Sequence, residues 1–172
     1  IEFPDFDYNA VYFPVQYPIR ILSLGNERFD NSMDKELRFH IGVAIGGMYE
    51  NKKNWSINYI VDESLCDNLG DDVRALPSAY YTLNPENEVI IPSGSFSGLI
   101  EVQLEDDFLS DTLSIGKHYV IPLRITGSNA DSILTGLPFV ANPDKRISSH
   151  WDPGAPPKDF TLFMVKYVNE YH

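Results

Sequence analysis

Leu37-Arg38-Phe39-His40-Ile41-Gly42-Val43-Ala44-Ile45 decides the fold class. Its odd positions are uniformly apolar, and its even positions carry Arg, His, Gly and Ala. Successive side chains of a strand point to opposite faces, whereas a helical period would scatter these apolar groups around an axis. The stretch predicts a half-buried strand with Leu37, Phe39, Ile41, Val43 and Ile45 inward and Arg38 and His40 outward.

Outward from this strand, the same alternation recurs at short intervals. Trp55 to Val61 alternates, with Trp55, Ile57 and Tyr59 on the inward side. Ala79–Leu83 and Glu88–Ile91 flank Asn84-Pro85-Glu86-Asn87, a turn by composition. Residues 92–98 then lead to Leu99–Leu104, whose even positions face inward. Tyr119–Ile125 is another strand, and Pro122 within it argues for an edge or a bulge, because proline cannot donate to a ladder. Phe160–Tyr167 is apolar on both faces and reads as central. Ala10–Val15 and Gln16–Leu22 are extended; Glu63–Leu69 and Asp106–Thr112 can each make a helical turn or two. About eight or nine strands separated by turn signals predict an all-β, immunoglobulin-like Greek-key β-sandwich with minor helical turns. Residues 1–172 are read as one such domain.

Composition narrows the function. The chain has 172 residues, of which 43% are hydrophobic, 22% charged and 13% aromatic, a globular balance. Its formal net charge of −12, without a basic cluster, opposes binding to a phosphate backbone. Cys66 is the one cysteine, so no internal disulfide forms; it reads as a small buried apolar residue. No run approaches the roughly 20 apolar residues that span a bilayer as a helix. The chain opens at Ile1-Glu2-Phe3-Pro4, so any export signal is expected upstream.

Catalytic motifs do not match. Gly42 to Gly47 lacks the Lys-Ser or Lys-Thr of a phosphate loop, and Gly94-Ser95-Phe96-Ser97-Gly98 has Phe where a nucleophile elbow needs Ser. His40, His118, His150 and His172 show no zinc-site spacing, so no enzyme activity and no cofactor are expected. Asp106, Asp107 and Asp111 lack the EF-hand pattern. They are either solvated turn residues or a looser oxygen cluster for calcium.

Aromatic residues are the more informative group, because sugars present C–H faces to flat rings while nearby polar groups take the hydroxyls. Residues 141–159 form a long Pro-rich loop, often a functional feature at this length. His150, Trp151 and Asp152 within it are candidate ligand contacts; alternatively Trp151 plugs one end of the sandwich. Tyr80 and Tyr81 point to opposite faces, which makes Tyr80 a further candidate.

Several strings taken together carry a resemblance. They are Val11-Tyr12-Phe13-Pro14-Val15-Gln16-Tyr17-Pro18, His40 to Gly47, Ala75 to Leu83, Val89 to Gly94 and Tyr119 to Thr126. With them the chain resembles, over nearly its whole length, a family of unknown function at the N-terminus of Bacteroidetes surface lipoproteins, often encoded near glycan-import systems. Tyr80 to Leu104 also resembles Calx-β repeats, an immunoglobulin-like class. The resemblance implies an exported, outer-membrane protein anchored by a lipidated upstream cysteine, with a further C-terminal domain. It also implies a non-catalytic module that captures or presents glycans, beside glycan-import proteins as partners. An interaction, adhesion or spacer module without sugar affinity stands as the alternative.

Overall fold

Residues 38–46 form a strand whose inner face is closed from solvent, and Leu37, buried too, sits just before it in a turn at φ 58°. A computed structural model of the chain describes residues 9–23, 37–69, 73–110 and 118–168. Among these, the strands are β1 (Ala10–Tyr12), β2 (Ile19–Ser23), β3 (Arg38–Gly46), β4 (Trp55–Val61), β5 (Val73–Ala75) and β6 (Tyr81–Asn84). They continue as β7 (Glu88–Ile91), β8 (Ser97–Leu104), β9 (His118–Ser128), β10 (Ser132–Ile133) and β11 (Phe160–Val168). One short helix, α1 (Asp106–Ser110), and single 3-10 turns are the helical parts of the described residues. Eleven strands exceed the expected number because β1, β5 and β10 are pieces of only two or three residues.

The strands form two sheets. One has the order β10-β1-β3-β8-β6, and the other the order β2-β11-β9-β4-β7 with β5 paired to β9. From β6 onward every connection crosses from one sheet to the other, so consecutive strands lie on opposite sides of the core. Leu37, Phe39, Ile41, Val43 and Ile45 are buried, His40 is exposed, and Arg38 pairs with Glu101 on β8 at 3.2 Å. The even positions of β8, Ile100, Val102 and Leu104, are likewise buried. Phe39 stacks on Phe163 of the opposite sheet with 4.9 Å between ring centroids, so the two inner faces share one core.

One sequence expectation needs correction. Pro122 lies in β9, a central strand flanked by β11 and β4, and not at an edge. Pro122 faces Leu162, whose N–H turns away to the Gln16 carbonyl, so the proline nitrogen points toward the other neighbour. On that side β4 ends with Val61 opposite Leu123, and β5 ends with Ala75 opposite Val120. The missing donor thus falls where β9 changes partners, and no ladder bond is lost. The irregularity in β9 lies further along, between the pairs Asn58–Gly127 and Tyr59–Ile125.

The turn expected at Asn84–Asn87 links β6 to β7. The turn between them does not close a hairpin: β6 pairs with β8 and β7 with β4, in opposite sheets. At this closed side of the sandwich, Gly98 of β8 lies under β7. A Cβ there would sit 2.7 Å from the Ile90 carbonyl oxygen, so only glycine fits without a backbone shift.

Buried Asn51 ties the same region together. Its side chain donates to the Pro92 and Ser95 carbonyls and accepts from the Lys53 N–H and from Trp55 Nε1 at 2.8 Å. Trp55 is therefore core, as its strand position predicts.

Phe39→Ala should remove a ring from the centre of the core and leave a cavity, costing about 3 to 5 kcal/mol. Urea unfolding should show a lower midpoint at unchanged slope; an unshifted midpoint would contradict this packing.

Candidate functional site

The segment between β10 and β11 is not a structureless loop. It leaves β10 at Leu134, whose N–H bonds to the Val11 carbonyl, and it doubles back on itself. Lys158 N–H bonds to Leu134 O, Leu137 N–H to Ala155 O, Asp152 N–H to Leu137 O and Phe139 N–H to His150 O. Pro138 and Trp151 pair as an isolated bridge. These bonds satisfy backbone groups that a buried loop would otherwise leave unpaired. Gly136 has φ +85°, and a Cβ on it would meet the Trp151 ring and the Pro157 nitrogen at 2.8 Å. Glycine at this position lets the indole lie flat against the returning chain.

Asp144 organises the tip. Its carbonyl accepts from Trp151 Nε1 at 2.8 Å and from the Ile147 N–H at 3.1 Å. Its carboxylate holds Arg146 in a two-pronged pair, Nε to Oδ1 at 2.9 Å and Nη2 to Oδ2 at 2.7 Å. Arg146 Nη1 reaches across to the carbonyls of Leu65 and Asp67, joining this tip to the 3-10 turn Glu63–Cys66. Lys145 bonds to both oxygens of Asp159 at 3.1 and 2.9 Å, and Asp159 is 3% exposed.

Against this excursion lies the stretch before β2. Leu162 N–H bonds to Gln16 O, Met164 N–H to Pro18 O, and Thr161 Oγ1 to Val15 O, which fixes residues 15–18 beside β11. A groove of about 1040 Å3 runs between the two segments. Exposed Tyr17 and Phe139 form its aromatic walls, with Trp151 and Phe160 beneath and Ser148, Ser149 and Asp152 as polar lining. Tyr17 meets Phe160 edge-on with 6.0 Å between centroids. Partial burial, with the charge of nearby Asp144 adding to it and Arg146 opposing, pushes the Tyr17 hydroxyl above its ordinary pKa.

The four proposed contact residues part company here. Trp151 and Asp152 line the groove. Trp151 is only 6% exposed; it is held within the excursion by its Asp144 bond and is not part of the core cluster between the sheets. His150 lies outside the lining: its Nδ1 accepts the Asp144 N–H at 3.0 Å and so fixes the turn. Tyr80 is half-buried elsewhere, edge-on to Tyr119. Sequence reading missed Tyr17 and Phe139. The available signal was an aromatic residue set among prolines, in Pro14 to Pro18 and in Pro138-Phe139.

Asp106 and Asp107 are exposed in the first turn of α1, and Asp111 lies outside the described residues. Among the described residues no three His, Cys, Asp or Glu side chains converge as ligands would. Cys66 is half-buried among Leu65, Val120 and Phe160, and burial with nearby Glu63 pushes its thiol up to about 11.

Two outcomes follow for solution chemistry. The Arg146 guanidinium hydrogen-bonded to Asp144 holds this carboxyl at about 2, below its ordinary 3.8. A folded-state pKa below the unfolded one stabilises above the unfolded value and is lost as pH falls through the folded one. Stability should therefore drop as pH falls from about 4 to about 2 in part through this pair. Asp144→Asn should lower stability at neutral pH and flatten that segment of the curve; an identical acid profile would contradict the assignment. Cys66 should react slowly with a disulfide reagent at pH 8 and rapidly after unfolding, since the thiolate is the nucleophile; fast labelling of folded protein would contradict its burial.

Residues 6–132 match a family of N-terminal domains. A Bacteroides ovatus protein of unknown function is 44% identical, with a TM-score of 0.88 over 97% of this chain and 54% of that one. A Bacteroides ovatus ATCC 8483 protein, provisionally described as carbohydrate binding, is 16% identical with a TM-score of 0.55 over 91% of this chain and 36% of that one. The apo form of the Calx CBD1 domain is 11% identical with a TM-score of 0.51 over 94% of this chain and 99% of that domain. At such identities the last two show the fold alone, an immunoglobulin-like sandwich. No curated protein matches the chain. The chain spans about half the length of the first relative and about a third of the second. The match over residues 6–132 makes the chain a member of this family of N-terminal domains, and the chain is similar in fold and in sequence to a Bacteroides ovatus protein of unknown function.

Proposed function

We propose that this domain is a non-catalytic binding module of an exported Bacteroidetes surface protein and that it takes an oligosaccharide in the groove between residues 14–17 and the 134–159 excursion. The observation that carries this reading is the groove itself: Tyr17 and Phe139 stand exposed across it, with Ser148, Ser149 and Asp152 placed among them. Exposed rings supply C–H stacking, and hydroxyl and carboxylate groups supply the hydrogen bonds that a sugar requires. The protein provisionally described as carbohydrate binding, which shares the fold, adds support. A lipid anchor upstream and neighbouring glycan-import proteins as partners belong to the same proposal.

Placement of the groove suits presentation. Phe160 lines it, and β11 carries the chain away from that point over nine residues, roughly 30 Å at about 3.3 Å per residue. A domain following β11 would attach at the far end and leave the groove open.

A second reading has its own observation. Leu137, Phe139, Val140 and Ile147 are 59%, 65%, 42% and 42% exposed on the one excursion, an apolar surface that also suits a protein partner.

Titration with oligosaccharides, followed by tryptophan fluorescence and calorimetry, separates the two. Tyr17→Ala and Phe139→Ala should each weaken sugar binding about fivefold, the loss of about 1 kcal/mol of ring contact, with stability unchanged. Equal affinity in both variants would place any sugar site elsewhere. Absence of binding to every glycan tested, with capture of a protein partner lost in Leu137→Asp, would favour the second reading.

A further inference from the structure

We infer that the groove selects neutral sugar chains and rejects uronic-acid chains, because both of its cations are committed to internal carboxylates and its accessible charge is Asp152. This inference rests on the oligosaccharide reading above and adds the ligand class.

Lys145 and Arg146 both line the groove, and at first sight they offer an anion site. The Lys145 ammonium bonds to both oxygens of Asp159, whose side chain is 4% exposed against 23% for the lysine. Two of the three ammonium N–H donors and the charge of Lys145 are thus committed to Asp159; a ligand carboxylate would have to share them, and drawing the lysine away would leave a buried carboxylate uncompensated, which is strongly unfavourable. Arg146 has five N–H donors in a rigid fork. Nε and Nη2 hold Asp144, and Nη1 serves the Leu65 and Asp67 carbonyls, with the side chain 13% exposed. Recruitment of Arg146 by a ligand would undo the tip that seats Trp151. Four of the five Arg146 donors and two of the three Lys145 donors are spent inside the protein, and each positive charge already faces a carboxylate of this chain, so the pair offers little net attraction to an added negative charge.

Asp152 supplies the opposite preference. It lines the groove, and its Oδ1 accepts the Gly154 N–H at 2.9 Å, which fixes the carboxylate at the turn. A carboxylate is a good acceptor for sugar hydroxyls and repels a second carboxylate at close range. The whole chain adds to this field with its net charge of −12. Stacking on Tyr17 and Phe139 needs only C–H faces and is blind to this distinction, so charge around the groove decides between chains of similar shape.

The test uses the full chain and matched probes: hexasaccharides of glucose, mannose and xylose on one side and hexagalacturonate on the other. At least one neutral chain should bind, with an affinity that changes little from about 50 to about 500 mM NaCl. Hexagalacturonate should bind at least about tenfold more weakly. Asp152→Asn should narrow that gap while Tyr17→Ala weakens neutral binding without narrowing it. Hexagalacturonate bound as tightly as the neutral chains overturns this inference and leaves the oligosaccharide reading intact. Binding of no chain, neutral or acidic, overturns that reading and this inference with it.

Discussion

Phe39 of β3 and Phe163 of β11 lie face to face at 4.9 Å in a core to which both sheets contribute. That contact depends on residues far apart in the chain, as do the pairings Ala10–Ser132 and Ile19–Met164 that complete the two sheets. From β6 on, each strand is followed by one in the other sheet, so local hairpins contribute little and the core must form nearly as a whole. Every inward position of β3 and β8 answers to it. Burial of these faces is the main favourable term, and loops are free to vary only where they lie outside it.

The groove lies outside that core and is built on it. The excursion from Leu134 to Asp159 starts at a bond to β1 and ends where Asp159 O accepts the Ile125 N–H of β9 at 2.7 Å. Between these ends the chain is held by its own cross-bonds, by Trp151 on the Asp144 carbonyl and by Arg146 on the turn after β4. Proline residues reduce the freedom lost on ordering such a segment. The result is a preformed wall, and a preformed wall lowers the entropy that a weak ligand must overcome.

How much of this could be read in the sequence differs by element. Strands with one wet face were legible, because alternation in Leu37–Ile45 and Leu99–Leu104 follows directly from burial of one side. Pro122 misled, since a proline's cost depends on where its partner strands end, and that is set by chain segments some 50 residues away. The turn at Asn84–Asn87 was legible as a turn but not as a crossing between sheets. At the site, the loop and Trp151 were found from composition, while the roles were not. An indole in a Pro-rich loop gives no sign that a carbonyl seven residues earlier will bury it. Tyr17 lay in a stretch read simply as extended, and it joins Phe139 only through pairing that sequence does not show.

The claim on which the functional reading depends most is that the wall of the groove is folded before any ligand arrives. Hydrogen exchange of individual amides tests it directly, because each protected N–H reports its own opening. The account predicts slow exchange at Leu137, Phe139, Asp152 and the Trp151 indole Nε1, within reach of the protection of β9 and β11. Exchange of these four at the rate of an unstructured chain, while the two strands stay protected, would contradict it.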